Sequence, residues 1–342
     1  MARTTTLLAA GAGFLGAAAV AAGAATTRRW AAAPDPTGGE PLCLPDGDEH
    51  RIGTDDGAKL AVTVAGDGPD TYVLAHGWTQ DRRVWGPVAR RLVSRGDRVI
   101  LYDHRGHGDS LPGESEVSLE LLASDLATVL RHFDARDAVL AGHSMGGMTA
   151  QALALTDPAT VAERVTAVVL VSTACDGLTR GQAADRLAAR LLGSPVPELA
   201  AARPRLGPFM VRGSCGRQPA LSHLHSARQT LASSDRVTRV GCLRAMQGMD
   251  FTAGLAELDL PVTVVCGTHD RLTPPARSRR LAELIPGARL TMVPDAGHML
   301  PWEAPDLLVD LLVSARGRPD VVDLRDQPAE TEPDRSVTGQ RS

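Results

Sequence analysis

Five residues constrain this chain more than any others: Gly142-His143-Ser144-Met145-Gly146. The run Asp137-Ala138-Val139-Leu140-Ala141 before them suits a buried strand, and Gly147 to Leu155 after them reads as a helix that stops at Asp157-Pro158. A strand that passes through a Gly-flanked turn into a helix pushes the central serine out at the top of a sheet. A side chain at Gly142 or Gly146 would collide where the turn brings backbone against helix and strand. A lone Gly-x-Ser-x-Gly is short enough to arise by chance, so the rest of the chain has to supply a base, an acid and an oxyanion site.

The surrounding pattern is one of alternating strands and helices. Arg51 to Thr54 and Leu60 to Val64 flank Asp55-Asp56-Gly57, a hairpin signal. Thr71 to Ala75 reads as a buried strand followed by His76-Gly77-Trp78. Val84 to Ser94 is an amphipathic helix, Arg98 to Tyr102 a strand, Leu119 to Phe133 a helix and Val165 to Val171 a strand. Such alternation argues for a mostly parallel sheet covered on both faces. From residue 176 to 250 the pattern turns helical, with candidates at Thr179 to Leu192, Pro197 to Met210, Ala220 to Ser233 and Arg236 to Met249. It resumes at Pro261 to Cys266 and runs through Leu281 to Ile285 and Arg289 to Val293 to a last helix from Pro305 to Ala315. The organisation expected is therefore a core over 49–175 and 251–315, interrupted by an inserted helical cap over 176–250.

A serine hydroxyl becomes a nucleophile when a general base takes its proton and a carboxylate orients that base. In doubly wound sheets the site lies at the carboxyl ends of strands, so acid and base should each follow one. Asp270, in Cys266-Gly267-Thr268-His269-Asp270, and His298, in Pro294-Asp295-Ala296-Gly297-His298, both do. Asp176, after the preceding strand, is the competing acid. The order Ser144, Asp270, His298 differs from both serine-protease orders.

With that order in place, the chain resembles the α/β-hydrolase superfamily, of the serine esterase, lipase and cofactor-free haloperoxidase type. The resemblance rests on His76-Gly77-Trp78, the Asp-x-Arg-Gly-x-Gly-x-Ser segment from Asp103 to Ser110, Gly-His-Ser-Met-Gly, Gly-x-x-Asp and Gly-His, in that order. It spans about residues 50 to 315, including the cap position. It implies an α/β fold with a doubly wound, mostly parallel eight-stranded sheet and a Ser144-His298-Asp270 triad. It also implies an oxyanion hole made by the backbone N–H groups of Trp78 and Met145. The chemistry needs no cofactor and no metal. The implied activity is hydrolysis of a carboxylic ester or related acyl bond through an acyl-enzyme, on a small-molecule acyl substrate that could include lipid. The alternatives are a perhydrolase using the same triad, a C–C bond hydrolase, and a non-catalytic binding module on the same fold. His76, His104, His107 and His143 look like a metal cluster, yet each falls inside one of these motifs and is read as structural, as are Asp103 and Arg105. Phe209, Met210, Met246 and Met249 either line an acyl pocket or pack the cap.

The net charge of −4 gives no case for nucleic-acid binding, and with Lys59 as the only lysine the positive charge is scattered arginine. Leu7 to Ala25 is uncharged and rich in Ala and Gly; as a helix it would span about 28 Å, close to a bilayer core. Residues 1–30 are therefore expected to be an N-terminal membrane anchor, with a cleaved signal ending near Ala22-Gly23-Ala24 or a soluble leader as alternatives. Residues 31–48 have a linker composition and 316–342 that of a disordered tail. The five cysteines lack metal-ligand spacing, and Cys215 with Cys242 is the one pairing considered.

Overall fold

Eight strands form one sheet: β1 (Asp48–Gly53), β2 (Lys59–Ala65), β3 (Thr71–Ala75), β4 (Arg98–Tyr102), β5 (Ala138–His143), β6 (Val165–Val171), β7 (Val262–Gly267) and β8 (Arg289–Val293). The computed structural model describes residues 26–179, 181–203, 207–233 and 235–317. The sheet order is β1-β2-β4-β3-β5-β6-β7-β8. β1 and β2 are antiparallel, joined by the expected turn with Gly57 at φ +84°, and β2 is antiparallel to β4; every other pairing is parallel.

Apart from the edge strand β8, the parallel strands read as nearly unbroken apolar runs because both of their faces are buried. Alternate residues feed two cores. Val73, Leu140 and Val168 face one side with Leu122, Leu126 and Met148, while Leu74, Val139 and Val169 face the other with Trp85, Leu92 and Leu308. The first core is closed by α2 (Leu119–His132) and α3 (Met145–Thr156), the second by α1 (Gly86–Ser94). α4 (Pro158–Arg164) begins where the sequence was expected only to stop, because Asp157 caps a new helix that has Pro158 in its first turn.

Between β6 and β7 the described residues form α5 (Gln182–Leu192), α6 (Val196–Ala201), α7 (Gly207–Val211), α8 (Leu221–Ser233), α9 (Arg236–Gly248) and the short α10 (Thr252–Leu255), with no strand among them. The single helix expected from Pro197 to Met210 is two pieces, α6 and α7. Pro208 is tolerated in the first turn of α7 but could not sit in the interior of a longer helix. The insertion reaches the carboxyl ends of the strands. Trp78 Nε1–H, after β3, donates to the Arg239 carbonyl (2.9 Å), and His298 N–H, after β8, donates to the Ser214 carbonyl (2.9 Å). After β7, α11 (Pro275–Leu284) covers the first core; the last described helices are α12 (Leu300–Glu303) and α13 (Pro305–Ala315), and Leu308 and Leu312 of α13 enter the second.

The linker-like stretch before β1 is laid along α1: Glu40 pairs with Arg90 and Arg91, and Leu42 and Leu44 pack on the second core. Cys215 and Cys242 are both free, and they sit in different cores. That separation removes the pairing considered from sequence. Among the described residues no helix is long and apolar enough to cross a membrane. Of the anchor expected over residues 1–30, residues 1–25 lie outside the described residues, as does the tail expected over 316–342 from residue 318 onward.

Candidate active site

β5 delivers Ser144 into the turn with φ 53° and ψ −115°, a conformation that a non-glycine residue holds only when its surroundings impose it. They do. A Cβ on Gly142 would lie 2.4 Å from the Gly146 carbonyl oxygen, and one on Gly146 would lie 2.3 Å from that of Ala75 on β3. The serine backbone is pinned as well: its N–H donates to the Val171 carbonyl (2.9 Å) and its carbonyl accepts from Thr173 Oγ1 (2.7 Å). The serine side chain stands 9% exposed at the head of α3, where the helix dipole favours negative charge.

Asp270 and His298 arrive from the ends of β7 and β8 and meet, with His298 Nδ1 2.8 Å from Asp270 Oδ2. Since the carboxylate only accepts, Nδ1 carries the proton, and Nε2 keeps the lone pair that a base needs. Burial pushes the Asp270 carboxyl up, but the His298 ring outweighs it together with the N–H and hydroxyl of Thr273, so the net pKa falls below the usual value. Thr273 is a residue the sequence reading missed. Its hydroxyl donates within reach of Asp270 Oδ2 (2.9 Å) and the Ser172 carbonyl (2.9 Å), and its N–H donates to Asp270 Oδ1 (3.0 Å). The signal was present, since Asp-x-x-Thr past a strand is a side-chain-capped turn.

The competing acid is elsewhere. Asp176 is ion-paired with Arg277 and lies 3.5 Å from Arg280. Gln80 is a second residue missed. Its Oε1 accepts the Gly77 N–H (2.9 Å), and the same amide group lies 2.9 Å from His143 Nδ1. His143 Nε2 in turn lies 2.8 Å from the His298 carbonyl oxygen. Burial, then the neighbouring His298 ring, pushes His143 down to about 3, so this ring is neutral and structural. The exit of β3 passes beside the serine: a Cβ on Gly77 would lie 3.1 Å from Ser144 Cβ. That brings Trp78, the next residue, to the serine's neighbourhood, with Met145 opening α3 on the other side. Neither backbone N–H is spent on a carbonyl among the described residues.

The other histidines serve the frame. His76 Nε2 accepts the His104 N–H (3.0 Å), and His107 Nδ1 lies 3.0 Å from the Arg105 carbonyl. Among the described residues no group of His, Cys, Asp and Glu is arranged to hold a metal. Arg105 is buried between Asp125 and Asp56, and Asp103 receives the Arg82 guanidinium together with the Arg82 and Asp109 N–H groups. Burial pushes the Asp103 carboxyl up to about 6 despite Arg82. Met246 and Met249 are buried, whereas Phe209 and Met210 are exposed and Phe209 packs against Trp30 with tilted rings (4.7 Å between centroids).

The family described as alpha/beta hydrolase fold matches residues 72–305. A pimeloyl-[acyl-carrier protein] methyl ester esterase of Aeromonas hydrophila is 31% identical over 246 residues, covering 70% of this chain and 92% of that protein. A non-heme chloroperoxidase, CPO-A1, of Kitasatospora aureofaciens is 27% identical over 278 residues, 76% of this chain and 96% of that one. Among solved structures, a hydrolase from Pseudomonas aeruginosa PA01 superimposes with a TM-score of 0.67 at 26% identity, covering 80% of this chain and all of its own. Sheet order, elbow and family match agree: the chain belongs to the α/β-hydrolase fold family and is a hydrolase.

Proposed function

We propose that the protein hydrolyses a carboxylic ester, or a related acyl bond, of a small molecule through an acyl-enzyme on Ser144. The observation that carries this reading is the 2.8 Å contact of His298 Nδ1 with Asp270 Oδ2, together with a serine held at positive φ. In the proposed reaction His298 Nε2 takes the Ser144 proton as Oγ attacks the acyl carbon, then returns it to the leaving alcohol. Water repeats the sequence in reverse and frees the acid. The N–H groups of Trp78 and Met145 receive the oxyanion, each typically contributing about 3 kcal/mol to the transition state. The named esterase relative supports an ester as substrate class. A second reading, favoured by the chloroperoxidase relative, has peroxide in place of water as the acyl acceptor.

Labelling with a fluorophosphonate tests the nucleophile: the wild type should label and Ser144→Ala should not. A folded wild type that never labels would overturn the reading in favour of a binding module. A series of p-nitrophenyl esters of rising chain length, each run with and without peroxide, separates acyl length from acceptor. The proposal that residues 1–30 anchor the protein rests on their sequence alone. It predicts that full-length protein sediments with membranes and that a form beginning at residue 31 does not.

A further inference from the structure

One polar group near the site plays no part in the proposed chemistry. Glu303, at the end of α12, turns its carboxylate back toward the loop that carries the base. Its Oε2 accepts the N–H of Gly297 (3.0 Å) and its Oε1 that of Met299 (3.1 Å), the two residues that bracket His298. The same Oε2 accepts a third N–H, from Gly216 in the insertion (2.7 Å). No ion pair is formed by this carboxylate among the described residues, so its charge is met chiefly by main-chain donors.

Gly216 belongs to a short strap, residues 214–217, that lies directly on the base loop. The Ser214 carbonyl accepts from His298 N–H (2.9 Å) and Met299 N–H (3.1 Å), and Arg217 N–H donates to the Asp295 carbonyl (2.8 Å). The contact leaves no room for side chains on either strand of it. A Cβ on Gly216 would lie 2.2 Å from the Asp295 carbonyl oxygen, and one on Gly297 would lie 2.3 Å from Gly216 N. Arg212 braces the strap from within, donating to the carbonyls of Cys215 (3.1 Å) and Arg217 (3.0 Å).

We infer that Glu303 is a positioning residue: its carboxylate clasps the insertion's 214–217 strap to the loop on either side of His298, so that the base is aligned only while the insertion is seated. The inference rests on the hydrolase reading and adds to it a physical link between the substrate-choosing insertion and the base. A carboxylate suits this place because both oxygens accept. Glutamine keeps the shape but turns one acceptor into a donor, so at least one of the three N–H groups then faces an N–H.

The test compares wild type, Glu303→Gln, Glu303→Asp and Gly216→Ala on one ester substrate. Fluorophosphonate labelling of the wild type checks the hydrolase reading separately. Misplacement by about 1 Å costs on the order of 100-fold, so Glu303→Gln should lose roughly that in kcat with KM little changed. Its fold, by circular dichroism, should be intact. The low-field proton resonance of the His298–Asp270 contact should shift or broaden. Glu303→Asp, one methylene short, should not restore it. Gly216→Ala pushes the strap off the loop and should lower kcat alike, and the double variant should lose no more than the worse single one. If Glu303→Gln does not fold, Gly216→Ala alone carries the test. Wild-type kcat with an unmoved resonance in a folded variant, or losses that multiply in the double variant, would overturn the inference.

Discussion

The carboxylate of Asp270 sits among four donors: His298 Nδ1–H, the N–H groups of Leu272 and Thr273, and the Thr273 hydroxyl. Burial alone would raise its pKa; the donors win, and the folded value lies below the ordinary 3.8. A carboxyl depressed on folding adds stability that is complete above its unfolded pKa and disappears as pH falls through the lower folded one. The stability difference between wild type and Asp270→Asn should therefore be constant above about pH 5 and shrink below about pH 4. Urea titrations across that range measure it, and a difference that grows toward acid would reverse the sign. At neutral pH the amide cannot hold the Nδ1–H tautomer, so kcat should fall by about 10³- to 10⁴-fold with KM largely kept. Retained activity would count against Asp270 as the acid and point to Asp176, which is ion-paired with Arg277.

At the scale of elements, the elbow is a three-way contact between β3, β5 and α3, and Gly146 is where they meet. Its Cβ would lie 2.3 Å from the Ala75 carbonyl oxygen and 2.7 Å from that of His76. Gly146→Ala must then part α3 from the exit of β3, at a cost of about 1–3 kcal/mol in urea midpoint analysis. Because that exit also leads to Trp78, phosphonate labelling should slow more than stability falls; equal labelling rates would dissociate the oxyanion loop from the elbow. Arg105 is the second such node, linking Asp125 on α2 to Asp56 in the β1–β2 turn. Arg105→Leu strands the buried Asp125 charge and should destabilise by about 3–5 kcal/mol without altering the labelling chemistry of the survivors. Both nodes were legible in the chain, since Gly-x-Ser-x-Gly and Asp-x-Arg-Gly-x-Gly-x-Ser are local patterns whose meaning is steric and electrostatic. So were the strands, because burial on both faces leaves an unbroken apolar run. What was not legible is what joins distant segments. Gln80 to His143 and Glu303 to Gly216 depend on spatial neighbours that no periodicity encodes. The break between α6 and α7 was misread because one apolar pattern runs across both.

At the scale of the whole molecule, burial is distributed unevenly between sheet and insertion. β5, nearly all of β6 and α3 as far as Ala154 are buried, whereas α5 has no buried residue and exposes Leu187 at 67% and Leu191 at 50%. α6 and α7 are short, and Arg239 joins α5 to α6 by reaching the Leu192 carbonyl and Glu198. Local opening becomes easier as buried apolar contact falls, so the insertion should open far more readily than the sheet. A rigid frame then holds Ser144, Asp270 and the exit of β3, while the insertion can adapt; the 214–217 strap, stitched to the His298 loop, and the Trp78–Arg239 contact are among the links that couple the two. Native-state hydrogen exchange tests this directly. Amides of α5 should exchange at least about 100-fold faster than those of β5 and β6, consistent with a gap of about 3 kcal/mol in opening free energy. The Gly216 and His298 amides should exchange at a common rate nearer to the sheet's, because they share one clasp. If α5 proves as protected as β5, the insertion is a fixed wall, and substrate choice would have to be sought in its static shape.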